Sequence, residues 1–151
     1  MKLNKDEILE YQQNREPYLL IDYVEKVEPG VSAQGYVDIN KSKNWILDVH
    51  WPNDKNFPGM LQIESLIQMG ALILLTLPGN KGKVVYVISA NNLSFKRKVL
   101  PGDRLLLYTK LISFKRGIAD IESVGKIDDR TACKANFKIV LPDVAIKYKI
   151  G

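Results

Sequence analysis

His50-Trp51-Pro52-Asn53-Asp54-Lys55-Asn56-Phe57-Pro58-Gly59-Met60-Leu61-Gln62-Ile63-Glu64 leads into an apolar run that ends at Leu77, and this stretch decides the fold. Its first half is rich in Pro, Asn and Gly and reads as loop. Its second half, from Met60 to Leu77, is the longest helical candidate in the chain, closed by Pro78-Gly79. Nearly every position in that run is apolar, the exceptions being Gln62, Glu64, Ser65, Gln68 and Thr76. A helix apolar on most faces belongs in the interior. It is a poor membrane span, because it is barely long enough and Gln62, Glu64 and Gln68 crowd its first turns.

The same stretch carries the chemistry. His50 is the only histidine and stands fourteen positions before Glu64, the only acidic residue of the helical run. A titratable base ahead of a helix and an acid inside it are the raw material of acid–base catalysis. Glu64 and Gln68 are spaced i, i+4 and share a helix face. A carboxylate on a buried helix is costly unless it is paired or used. Two readings stand at this point: a structural Glu held in a polar pocket, or a functional acid.

Outward from the helix, the flanking segments read mostly as strands. Asp6 to Gln12 forms a short amphipathic helix through Ile8, Leu9 and Tyr11, and Pro17 ends any helix before it. A strand begins over Tyr18 to Val24, and Glu28-Pro29-Gly30 is a turn. Gln34 to Ile39 alternates, with Gly35, Val37 and Ile39 on one face. After the helix, Gly79 to Lys83 is a turn without the spacing or final Ser/Thr of a phosphate loop. Val84 to Ile88 is short, apolar and β-branched, which predicts a central strand. Hairpins follow over Leu105 to Phe114, Ile118 to Ile127 and Thr131 to Leu141. The last strand places Cys133, Ala135, Phe137 and Ile139 on one face, so Cys133 is expected to be an inert core thiol.

The predicted architecture is α+β: five or six mainly antiparallel strands with one long buried helix. The helix is covered on most sides only if the sheet curls around it, or if another subunit covers the rest. The chain has 151 residues, 46% hydrophobic and 26% charged, without repeats or linkers, which predicts a single domain over 1–151. A net charge of +5, from 22 basic and 17 acidic residues, is compatible with nucleic acid, anionic lipid or an acidic protein partner, but so modest an excess is more often only a solvated surface, and no nucleic-acid partner is expected. The charged start Met1-Lys2-Leu3-Asn4-Lys5-Asp6-Glu7 has no apolar signal region, so a cytoplasmic protein is expected. A single cysteine excludes an internal disulfide and any multi-cysteine metal site.

Taken together, these residues resemble the (3R)-hydroxyacyl-acyl-carrier-protein dehydratases of fatty-acid synthesis, which have the hot-dog fold. The resemblance spans roughly Ile8 to Leu141. Arg15-Glu16-Pro17-Tyr18-Leu19-Leu20-Ile21-Asp22 is similar to the family's opening Arg-x-Pro-Phe-Leu-Leu-Val-Asp. His50-Trp51-Pro52 is similar to its His-Phe-Pro, and Pro58 to Glu64 with Gln68 to its Pro-Gly-Val-Leu-x-x-Glu segment and following Gln. Phe95 to Asp103 and Arg116-Gly117 match two later landmarks, and the His-to-Glu spacing is the same. The chain departs at Val49, where the family usually has Gly, at Asn53-Asp54-Lys55, and at Asn14.

The resemblance implies dehydration of a (3R)-hydroxyacyl thioester to the trans-2-enoyl thioester. His50 and Glu64 would be the catalytic pair, and Pro58, Gly59 and Gln68 would contact substrate. Gly59 opens the helix, where a backbone N–H can stabilise charge on the thioester oxygen. Glu64 in place of Asp points to the branch that does not isomerise the double bond. No metal and no cofactor is called for. Lys96, Arg97 and Lys98 would dock the acidic acyl carrier protein. The family's His and Glu meet across a homodimer interface, and its dimers assemble further as trimers of dimers. The rival readings are a thioesterase on the same fold and a non-catalytic acyl-binding subunit.

Overall fold

A computed structural model describes residues 1–148. The elements run α1 (Lys5–Tyr11), β1 (Tyr23–Glu28), β2 (Ser32–Asp38), α2 (Asn44–His50), α3 (Gly59–Leu75), β3 (Tyr86–Phe95), β4 (Arg104–Lys115), β5 (Ile118–Ile127), β6 (Arg130–Val140) and α4 (Pro142–Ala145). The strands form one six-stranded sheet in the order β1-β2-β4-β5-β6-β3, and every pairing is antiparallel. The sheet curls around α3, which packs across β1, β2, β4, β5 and β6. This is the hot-dog arrangement expected from the sequence.

Local chemistry sets the element ends. Asn4 caps α1 in a capping box: its side chain accepts the Glu7 N–H at 3.0 Å, and the Glu7 carboxylate accepts the Asn4 N–H at 2.7 Å. The β4–β5 hairpin turns on Arg116 (φ 54°) and Gly117 (φ 83°), and the β5–β6 hairpin on Asp128 (φ 52°). Burial on β6 alternates as expected, with Cys133, Ala135, Phe137 and Ile139 inside. Burial pushes the Cys133 thiol up to about 11, so it stays neutral and unreactive near neutral pH.

Three expectations need correction. First, Tyr18 to Asp22 is not strand, and β1 begins at Tyr23. Leu19, Leu20 and Ile21 are all fully buried, which alternating strand geometry with one wet face cannot provide. Their backbone is satisfied from α3 instead: Gln68 Oε1 accepts the Leu20 N–H at 2.8 Å, and Gln68 Nε2 donates to the Tyr18 carbonyl at 2.9 Å. Second, the apolar run at Val84 to Ile88 feeds an edge strand. β3 pairs only with β6, and Tyr86, Val87 and Ile88 are 60%, 45% and 52% exposed. Third, His50 is the last residue of α2 rather than part of the loop. Leu47 anchors this helix in the core, and Pro52 drives Trp51 out of helical geometry, to φ −141° and ψ 90°. Val49 therefore sits in an ordinary helical turn, 68% exposed, and needs no left-handed backbone.

The helix lies close on the sheet because glycines permit it. A Cβ on Gly70 would stand 2.7 Å from the Phe137 ring. A Cβ on Gly35 of β2 would collide with the Tyr23 carbonyl oxygen and come within 2.9 Å of the Met69 methyl. The first neighbour is main chain and cannot rotate away. Gly35→Ala is expected to lower stability by about 1–3 kcal/mol or more. The check is a lower urea midpoint at unchanged slope; a midpoint equal to wild type would show that β1 yields freely.

Candidate active site

His50 closes α2 half-buried, with its ring stacked on Trp51 at 5.0 Å between centroids and 10° between planes. Its Nδ1 lies 3.4 Å from the Asn56 carbonyl oxygen. A carbonyl can only accept, so this contact favours the proton on Nδ1 and leaves Nε2 with a free lone pair. The intervening loop is well tied down. The Phe57 N–H donates to the Val99 carbonyl at 2.7 Å, and Gln62 Nε2 donates to the Phe57 carbonyl at 3.0 Å. Asp54 pairs with Lys98 at 2.7 Å and Lys55 with Asp48 at 2.9 Å, so the residues that depart from the family pattern supply the loop's ion pairs.

Pro58 precedes α3 without offering a side-chain cap. Among the described residues, neither the Gly59 nor the Met60 N–H has an acceptor, as befits the first donors of a helix. These N–H groups and the helix dipole make a site for developing negative charge. Gly59 is required there by packing as well: a Cβ would stand 2.8 Å from the Phe95 ring.

Glu64 lies one and a half turns further along α3, half-buried. Loss of water around it raises its carboxyl above the usual range, and the 3.1 Å hydrogen bond from Gln68 Nε2 opposes this more weakly. The Tyr18 phenol is also raised, by its own burial and then by the Glu64 charge. Glu64 and Gln68 border a cavity of about 380 Å³ whose apolar walls come from Ile67, Ala71 and Leu75 of α3 and from Val84 and Val85. Gln68 thus reaches both the cavity and the backbone at Tyr18 and Leu20, and it fixes the carboxylate it touches.

The structure brings Glu64 and Gln68 together and sets Pro58 and Gly59 at the head of the same helix. It does not join His50 to Glu64 within one chain. His50 is not among the residues lining the Glu64 cavity, and among the described residues no hydrogen bond links the two. Lys96, Arg97 and Lys98 are exposed after β3. Lys98 is engaged by Asp54, and Arg97 borders a hollow that also holds Asp103, Asp128 and Asp129. Sequence reasoning missed Gln12 and Lys83 and marked Asn14 only as a departure from the family pattern; all three line the Glu64 cavity. Nothing in local periodicity marks them, because Gln12 and Asn14 follow α1, Lys83 follows α3, and only the fold brings the two segments together.

The chain is similar to known proteins over most of its length. Residues 13–136 match the family model described as a FabA-like domain. A protein of Clostridium novyi named 3-hydroxyacyl-[acyl-carrier-protein] dehydratase FabZ is 36% identical over 141 residues, covering 92% of this chain and 99% of its own. One of Enterococcus faecalis with the same name is 36% identical over 143 residues, covering 93% and 99%. Among solved structures, the dehydratase heterocomplex ApeI:P from Xenorhabdus doucetiae superposes with a TM-score of 0.77 at 12% identity, over 93% of this chain and 95% of that one. A hypothetical thioesterase from Streptococcus pneumoniae, solved with coenzyme A, superposes at 0.61 and 15% identity, over 78% and 83%. At those identities the two structures speak for the fold alone, whereas the family match and the sequence identities go further: this chain belongs to the FabA-like family.

Proposed function

We propose that this protein removes water from a (3R)-3-hydroxyacyl thioester on an acyl carrier protein, giving the trans-2-enoyl thioester. The observation that carries the reading is Glu64: a carboxyl held towards its protonated form beside an apolar cavity, near the head of a helix with free N–H groups. His50 Nε2 takes the proton from the α carbon. The electron pair of that C–H bond becomes the double bond as the C3–O bond breaks. Glu64 protonates the departing hydroxyl, which leaves as water. The Gly59 N–H stabilises the charge that grows on the thioester oxygen. The 36% identity to dehydratases over nearly the full chain supports the same reading. Incubation with hydroxyacyl and enoyl thioesters tests it. Reversible interconversion is expected; release of free acid would mean a thioesterase, and binding without turnover an acyl-binding subunit.

The catalytic pair is completed by a second copy of the chain. β3 offers an unpaired edge and the exposed run Tyr86-Val87-Ile88, the kind of edge that soluble proteins cover. Pairing two copies there covers the run and brings His50 of one copy towards Glu64 of the other. Wild type is expected to sediment as a dimer or larger at micromolar concentration, and Ile88→Lys to shift it towards monomer with loss of turnover. A fully active monomer would sink this arrangement. Lys96 and Arg97 remain available for an acidic carrier protein, with attraction that weakens as salt rises.

A further inference from the structure

The cavity beside Glu64 has one wall that an alkyl chain does not need. Gln12, Gln13, Asn14 and Lys83 line it together with the apolar side chains of α3. Two of these have other duties: Gln13 Nε2 donates to the Gly82 carbonyl at 2.6 Å, and Lys83 lies 3.9 Å from the Asp143 carboxylate. Gln12 does not. It is 3% exposed, and among the described residues neither its Nε2 nor its Oε1 has a hydrogen-bond partner. A buried amide with both ends unpaired is unfavourable and rare in folded proteins.

Its place is fixed by main chain. The Gly82 N–H donates to the Tyr11 carbonyl at 3.0 Å, which ties the end of α1 to the loop following α3. Leu75, at the end of α3, is eleven residues from Glu64, roughly 16 Å along a helix axis. The cavity runs along α3 from the acid to Leu75, and its polar residues come from the segment after α1 and the loop after α3.

We propose that Gln12 is a specificity residue that selects acyl chains bearing a second hydroxyl beyond C3. An amide matches a hydroxyl in both directions, since Nε2 donates to its oxygen and Oε1 accepts its proton. Protein covers both amide atoms, so the side chain turns about its aliphatic torsions to meet a ligand hydroxyl in the cavity it lines. The inference rests on that cavity being the acyl site.

Binding and turnover are measured separately on the full chain. The binding probes are unreactive acyl thioethers of equal length, one plain and the others with a hydroxyl at successive distal carbons. Wild type is expected to bind one of the hydroxylated chains about tenfold tighter than the plain chain. Gln12→Leu and Gln12→Met are expected to lose that preference while melting at or above the wild-type temperature, since an unpaired amide has been removed. No favoured position in wild type, or a preference that survives in both variants, overturns the proposal. So does a fall in melting temperature with an unchanged binding ratio, which marks a structural amide. Dehydration of the matching 3-hydroxyacyl thioesters is assayed alongside. Failure there with the binding preference intact strikes the proposed reaction and leaves Gln12 standing.

Discussion

His50→Ala lowers dehydration by roughly 10²–10⁴-fold, the usual worth of a general acid–base group, and leaves the fold intact. His50 ends α2 half-buried, and the core contact of that helix is Leu47. Its one polar contact among the described residues, at 3.4 Å from the Asn56 carbonyl, is too long to hold the loop. The loop rests instead on the Phe57–Val99 and Gln62–Phe57 bonds, which the substitution leaves untouched. The check is kcat against an unchanged melting temperature. A variant that turns over at near the wild-type rate would remove His50 from the mechanism.

Glu64→Gln is expected to reduce turnover by a similar factor while binding of an unreactive acyl ligand stays close to normal, since the amide keeps size and hydrogen bonding but has no acidic proton. Its stability has a predictable sign. Burial raises the Glu64 carboxyl, so the native state keeps its proton at pH values where the unfolded chain has lost it. The stabilisation from this source is complete below the ordinary carboxylate value and is lost as pH rises through the native value. Glu64→Gln removes that loss, so it should melt no lower than wild type at neutral pH. If the two groups act across a subunit boundary, inactive His50→Ala and inactive Glu64→Gln regain activity when refolded together. In a mixed dimer one site then carries both native groups and the other neither. Continued inactivity, with mixed dimers confirmed by mass, would place both residues within one chain or strike one of them out.

Much of this was legible in the sequence because the governing signals are local. The length of apolar chain between Pro58-Gly59 and Pro78-Gly79 was enough to find α3. β5 runs over the expected Ile118–Ile127 because Arg116-Gly117 and Asp128 adopt positive φ at its two ends. The signals that failed are non-local. Leu19 to Ile21 looks like strand, but their backbone is held by a glutamine 48 positions away from Leu20. Val84 to Ile88 looks doubly buried, and periodicity cannot say whether the second cover comes from this chain or another. The spacing of His50 and Glu64 was readable in the residues, whereas their separation within one chain was implied only by the family resemblance. Gln12 was invisible because a side chain's lack of partners is a property of the assembled cavity.

Gln68 holds two things at once, and so couples their lifetimes. Its Oε1 keeps the Leu20 amide hydrogen from solvent, and its Nε2 steadies the Glu64 carboxylate. Deuterium can replace that hydrogen only when the side chain lets go, and Glu64 then loses the bond that restrains its proton affinity. The exchange rate at Leu20 therefore reports how often Glu64 is without that bond, and a main-chain amide becomes a clock for the carboxyl on the other side of Gln68.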